Sequence, residues 1–333
     1  MVKYGKAMED ILNFKTDFFN KNIELLEESE KISEVYRRQP CRKTCKVCGG
    51  KLTSDIYFES HGIEYIKCKK CGQINGKYED TIEYNKALYV DSDYGSNYRT
   101  GEYWDRVKKV YLPKMQFLLE SIKDDIEEFS ILDIGAGSGY FVATGKLSNI
   151  QIKGVEISSQ QVEFGNRMIG EEKLQVIGED QLLDIIINSE ANVLSAIGVF
   201  EHLGNLKEVL QAISKNKNIR YVYCSVPMFS VSVLLEIMNQ TCYNRQLGGG
   251  HTHLFTNSSV DYLCDELGWK CISSWRFGSD IMDLYRMLNV KVGQYEELKQ
   301  DIQQIDFKKL DEMQLLLDEM EISSEKHFIF ETS

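Results

Sequence analysis

The chain has 333 residues, a net charge of −12 and 43% hydrophobic residues. That length accommodates two domains, or one large domain with an appendage, and the apolar content builds a core that a disordered chain lacks. The acidity excludes a protein whose whole surface grips nucleic acid.

No stretch approaches eighteen apolar residues, and the opening MVKYGKAMEDILNFKTD has no apolar signal-peptide core. The expectation is a cytoplasmic protein with no membrane partner. Nine cysteines are present, an odd number, and four fall in two CxxC pairs. Metal binding fits that arithmetic better than a disulfide framework.

In chain order, residues 1–40 carry apolar side chains at spacings of three and four, through Met8, Ile11, Leu12, Phe14, Phe18, Phe19, Ile23, Leu25 and Leu26. This predicts an amphipathic helical segment packed on the rest of the protein or on a partner subunit. Residues 41–77 follow as a small unit. Cys45 and Cys48 form one pair, Cys68 and Cys71 the other, with nineteen residues between them. Glycine follows each pair directly (Gly49, Gly72), and Ile56, Phe58, Ile63 and Tyr65 alternate as in a hairpin. The spacing predicts a closed, tetrahedral structural zinc site of four thiolates, with no open position for chemistry. From Arg37 to Lys77, ten Lys/Arg face Asp55, Glu59 and Glu64, a net of +7, or about +5 with four thiolates and Zn²⁺ counted. That local reversal meets either the phosphates of a substrate or acidic surface elsewhere.

Residues 78–128 join the ribbon to the main domain. Tyr78, Tyr84, Tyr89, Tyr94 and Tyr98 make this stretch aromatic, and YVDSDYGSNY has turn residues throughout and no periodicity, so it is either a lid or a packed linker. A helix carrying Tyr111, Met115, Leu118, Leu119 and Ile122 is predicted over Glu102–Phe129.

The main domain, 129–333, opens on FSILDIGAGSGYF, a short strand, Asp133, then Gly135, Gly137 and Gly139 before a helix. Such a turn cradles a nucleotide cofactor against a helix N-terminus. Strands then alternate with helices: Ile150–Val155 ending at Glu156, Leu174–Ile177 ending near Asp180, Ala191–Val199 ending in VFEHL, and Ile219–Val226. Ser158 or Ser159 caps one helix, and Asn257 or Ser258 another. The alternation means an α/β fold with a parallel sheet and helices on both faces, ligands sitting at the carboxyl ends of the strands.

An acidic residue followed by xGxGxG resembles motif I of the class I S-adenosylmethionine (SAM) dependent methyltransferases, whose Rossmann-like sheet has seven strands. The resemblance implies SAM contacts at Asp133, Gly135, Ala136, Gly137 and Gly139, with Ile157 and Phe200 alongside. It also places Glu156, seventeen residues after Gly139, on the ribose hydroxyls and Asp180 near the adenine amino group. VFEHL (Glu201, His202) is similar to the [LV]EH[LV] stretch of small-molecule O-methyltransferases, and GHTHLFT (His251, His253) to a GHxHxFT segment of enzymes acting on small molecules and sugars. A CxxC ribbon ahead of such a domain is similar to bacterial nucleotide-sugar methyltransferases. The YHEH-like segment of their C-methylating members is absent, and so is the NPPY-type motif of base-amino enzymes.

The expected function is therefore O-methylation of a nucleotide-activated or phosphorylated sugar, with SAM and a structural zinc as cofactors. The alternatives are sugar C-methylation, or an RNA-base methyltransferase using the basic ribbon. His253 is the first candidate for general base, then His202, with His251 beside them, since imidazole titrates near neutrality. The tail ends in KHFIF, an antiparallel last strand, behind a helical insertion that shapes either the pocket or a homodimer face.

Overall fold

The N-terminus begins with an extended piece, not a helix. The structure, a computed structural model, describes residues 1–7, 21–89, 100–122, 128–247, 251–293, 295, 297 and 307–332. Strand β1 (Val2–Tyr4) precedes helix α1 (Asn22–Arg37). The apolar positions expected from Met8 to Phe19, the tyrosines Tyr94 and Tyr98, and Gly250 lie outside the described residues. The ribbon contributes β2 (Phe58–Ser60), β3 (Ile63–Lys67) and β4 (Ile74–Gly76), and α2 (Ile82–Tyr89) follows. Two residues join β2 to β3, His61 and Gly62, both at positive φ (49° and 70°), the geometry that matches the twist of a tight hairpin.

Next come α3 (Tyr103–Arg106), a π-helical turn (Val107–Tyr111) and α4 (Leu112–Ile122), where a single uninterrupted helix is expected from periodicity. The main domain then alternates β5 (Ser130–Ile134), α5 (Tyr140–Ser148), β6 (Gln151–Glu156), α6 (Ser159–Ile169) and β7 (Leu174–Val176). It continues with α7 (Leu182–Ile187), β8 (Val193–Ile197), α8 (Leu206–Lys215) and β9 (Tyr221–Pro227). The remainder is α9 (Val231–Met238), β10 (His253–Leu254), α10 (Asn257–Leu267), β11 (Lys270–Phe277), α11 (Asp280–Val292), α12 (Phe307–Glu319) and β12 (Glu325–Glu331). Ser158 caps α6 as expected, but α10 starts from Thr256, which exchanges hydrogen bonds with Ser259 in a capping box.

One sheet has the order β1-β11-β12-β9-β8-β5-β6-β7. Strands β9, β8, β5, β6 and β7 are parallel, β12 is antiparallel to both neighbours, and β1 runs parallel to β11. Among the described residues the sheet thus has eight strands where seven are expected. The extra one is β1, docked through Val2↔Ser274 with the Lys3 ammonium 4.0 Å from the Trp275 ring centre. A three-residue strand leaves no periodicity to read, so the core it joins decides it. Every residue of β9 is buried, as a central strand covered on both faces must be. One apolar cluster fills each face. Strand order reverses between β5 and β8, and their carboxyl ends open the crevice where a ligand is held.

A second, four-stranded sheet has the order β10-β4-β3-β2. Strand β10 comes from the main domain and pairs His253 with Asn75. The ribbon is therefore completed by the segment that carries His253. Among the described residues no helix is long and apolar enough to cross a membrane.

Candidate active site

Gly135 adopts φ +60°, and a Cβ there would lie 2.8 Å from the Val199 side chain; Gly139, at φ +71°, would meet Leu174 at 2.8 Å. Only glycine serves at both, because the left-handed backbone and the lack of space act together. The turn they make packs onto Val199, so the loops after β5 and β8 touch. A cavity of about 210 Å³ lies against the turn. Asp133, Gly135, Ala136 and Gly137 line it, together with Arg106, Tyr111, Ser138, Tyr140, Phe141, Gln161 and Ile197.

Asp133 is buried and accepts a 2.6 Å bond from the Ser195 hydroxyl. Burial, reinforced by the nearby Glu156 carboxylate, pushes its pKa up to about 7 despite that bond. Glu156 closes β6 and accepts three backbone N–H bonds, from Gly137 (2.9 Å), Ile157 (2.8 Å) and Ser158 (3.0 Å). It ties the glycine turn to the end of β6 and keeps one lone pair of a carboxylate's four for a hydroxyl. Among the other expected cofactor contacts, Gly139 sits behind the turn at the N-cap of α5. Ile157 and Asp180 are exposed at neighbouring strand ends, and Phe200 is buried in the core.

The wall from α3 to α4 is not read from the sequence. Tyr140 stacks on Tyr103 (4.7 Å between ring centres) and on Tyr111 (5.3 Å), and the Arg106 guanidinium lies 4.6 Å over its ring. The Tyr103 hydroxyl donates to the Ser138 carbonyl at 3.0 Å. Arg106 just before the π-helical turn and Tyr111 at its end both line the cavity, and such insertions gather at functional sites. The only sequence signal was a run of aromatic and basic residues inside an otherwise ordinary helix.

At the end of β8 three expected residues meet. Glu201, His202 and His251 present ligand atoms all within 4.8 Å of one another. His202 and His251 have ring centres 5.2 Å apart, and His202 Nε2 is 3.9 Å from a Glu201 oxygen. His251 Nδ1 faces the Gln246 carbonyl at 3.2 Å, so it carries the proton and Nε2 is the free lone pair. Burial lowers the His251 pKa to about 4 and raises that of Glu201 to about 8.

His253 is fully buried on β10, and its Nδ1 lies 3.0 Å from Lys46 Nζ. An ammonium donates there, so the neutral ring carries its proton on Nε2. Lys46 also pairs with Asp80, which takes Arg42 at 2.8 Å, all three side chains buried. Burial, outweighing Asp80, lowers Lys46 to about 8.

The ribbon's basic residues prove largely paired within reach of home. Arg42 and Lys46 meet Asp80, Lys69 meets Asp55, Lys77 meets Glu64, and Arg37 meets Glu30. Cys45, Cys48, Cys68 and Cys71 converge, with Sγ atoms 3.6 Å (Cys45–Cys71) and 3.5 Å (Cys48–Cys68) apart. A tetrahedral ion with Zn–S of about 2.3 Å needs edges of about 3.8 Å, close to both of these separations, and all four Sγ atoms lie within 4.8 Å of one another. Asn75 Nδ2 donates to Cys45 Sγ at 3.6 Å, the kind of support a ligating thiolate receives.

The profile of the family described as "Methyltransferase domain" matches residues 103–274. Similar solved structures include a SAM-dependent methyltransferase from Archaeoglobus fulgidus, at 16% identity and a TM-score of 0.43 over 66% of this chain and 92% of that one. The methyltransferase domain of bacterial CtHen1 is similar at 14% identity and 0.42, covering 70% and 100%. Geranyl diphosphate C-methyltransferase from Streptomyces coelicolor is similar at 11% and 0.42, covering 74% and 87%. No curated protein matches the chain in sequence.

Proposed function

The chain belongs to the methyltransferase-domain family and is a SAM-dependent methyltransferase, and from that premise we propose that it O-methylates a hydroxyl of a nucleotide-activated or phosphorylated sugar. The observation that carries this is the Glu201–His202–His251 cluster, gathered at the loop after β8 whose Val199 packs on Gly135, which presents an unprotonated imidazole nitrogen. A hydroxyl must lose its proton to attack, and an imidazole held neutral with its Nε2 lone pair available suits that task. The pairing of Arg37, Arg42, Lys46, Lys69 and Lys77 with carboxylates supports a small acceptor over a phosphate backbone.

SAM supplies an electrophilic methyl group on a sulfonium. The protein's own residues do the rest. Glu156 offers its remaining lone pair to a ribose hydroxyl, and Arg106 offers a cation to the cofactor's carboxylate. The stacked Tyr103, Tyr140 and Tyr111 exclude water from the transfer path. His253, held by Lys46 with its proton on Nε2, acts as a donor that orients the acceptor, and the cluster activates the hydroxyl. Cys45, Cys48, Cys68 and Cys71 hold a structural zinc that keeps β4 in place to pair with β10.

Incubating the enzyme with SAM and a panel of sugar nucleotides and sugar phosphates tests the proposal. The expected product gains one methylene in mass, with NMR placing it on oxygen. Methyl found on carbon or on an RNA base, with no sugar methylated, overturns it.

A further inference from the structure

We propose that Glu201, His202 and His251 form a second metal site, separate from the four cysteines, that binds one divalent first-row cation. Two imidazoles and one carboxylate on one side of an ion leave its other positions open. The donors already lie within 4.8 Å of one another. With metal–ligand distances of about 2.1 Å, side-chain movements of roughly 1 Å bring all three onto one ion.

Two further features point to a ligand here. Glu201 is 4% exposed, yet its Oε2 has no hydrogen-bond partner among the described residues. A buried carboxylate oxygen left so is costly, and a bound cation is one of the few things that satisfies it. His251 has the outer-shell bond of a metal ligand: Nδ1–H donates to the Gln246 carbonyl at 3.2 Å, fixing the tautomer that aims a lone pair from Nε2.

The site deepens the proposed O-methylation and rests on it for one point only, the identity of the acceptor. A cation with open positions, held at the loop after β8 whose Val199 packs on the glycine turn, would take the acceptor's hydroxyl oxygen and a neighbouring hydroxyl or phosphate oxygen. Coordination would lower the pKa of the bound hydroxyl, so that its proton leaves to solvent and the cation, held by the His251 Nε2 lone pair, takes over the activation that the free imidazole would otherwise provide. Metal binding itself is measured without any acceptor, so its failure and the failure of sugar methylation are separate results.

The experiment uses the whole zinc-containing protein and Co²⁺. Equilibrium dialysis followed by elemental analysis should find one cobalt gained per chain with the zinc retained. Glu201→Gln and His251→Ala should each weaken cobalt binding by about tenfold or more while keeping zinc and SAM binding, which report an intact fold. Cobalt taken up only by displacing zinc, with thiolate charge-transfer bands, overturns the proposal. So does equal affinity in the variants. Should either variant fail to fold, the cobalt-loaded parent decides: strongly shifted, exchangeable imidazole N–H signals in its NMR spectrum support the site, and their absence refutes it.

Discussion

Lys46, which sits between the first two ribbon cysteines, brings its Nζ to 3.0 Å from Nδ1 of His253 on β10. That contact joins the cysteine knuckle to the strand carrying an expected catalytic histidine. The first prediction follows from it. Lys46→Met removes a buried cation from Asp80 and His253 at once. Arg42 still faces Asp80, so stability should fall by about 3 kcal/mol, the low end for breaking a buried pair. Turnover should fall further than stability explains, with SAM affinity unchanged. Denaturant unfolding beside cofactor calorimetry checks this, and unchanged turnover would remove His253 from the acceptor side.

Removing the ribbon's metal tests the same joint. Cys48→Ser with Cys71→Ser should abolish zinc binding and unfold β2 to β4, because metal binding supplies much of the folding energy of so small a unit. Since β4 pairs with β10, methyl transfer should be lost while the far-UV signature of the main sheet and SAM binding persist. Elemental analysis, circular dichroism and calorimetry give the three readouts. Zinc retained in the double variant contradicts the assignment.

Cofactor binding should depend on Glu156 twice over, through a ribose hydroxyl and through the Gly137 N–H it anchors. Glu156→Ala should weaken SAM by about 2–4 kcal/mol. Gly137→Val should do at least as much, since its φ of +54° is hostile to a branched side chain. Calorimetric affinities equal to the parent's in both would move the cofactor site elsewhere.

Arg106 is a sharper test, because nothing in the glycine motif implicates it. Arg106→Ala should cost about 1.5–3 kcal/mol of SAM affinity, the worth of hydrogen bonds to a charged group. Arg106→Lys should recover only part, having lost the planar face on Tyr140. An unchanged dissociation constant in Arg106→Ala would reduce the arginine to a packing role.

Asp133 makes a prediction about pH. Its pKa rises from an unfolded 3.8 to about 7 in the fold, so the folded state binds more protons between those values. Stability contributed by the neutral acid is full below about pH 4 and is lost as pH rises to about 7. Asp133→Asn, which can still accept from Ser195, should match the parent near pH 4 and exceed it by about 2–4 kcal/mol at pH 8. Unfolding curves at the two pH values decide it, and a difference independent of pH would mean that Asp133 is charged throughout.

Much of the fold was legible in the residues themselves. Glycines at 135, 137 and 139 behind a strand, acids at strand ends, and two CxxC pairs are local constraints: each depends on a few consecutive residues and the backbone they permit. The parallel sheet followed for the same reason, since periodicity reports which face of each element is buried. What the sequence could not show depends on residues far apart in the chain. The pairing of β10 with β4 brings His253 to Lys46 across 207 positions, and nothing in either segment names the other. Strand β1 exists only because β11 offers an edge. Arg106 and Tyr111 line one cavity across a π-helical turn, and no spacing rule announces an inserted residue. His251 and His253 are two residues apart and look equivalent in the sequence. Tertiary structure separates them, giving one a carbonyl and the other an ammonium, because a histidine's tautomer is set by whatever the fold brings to its ring.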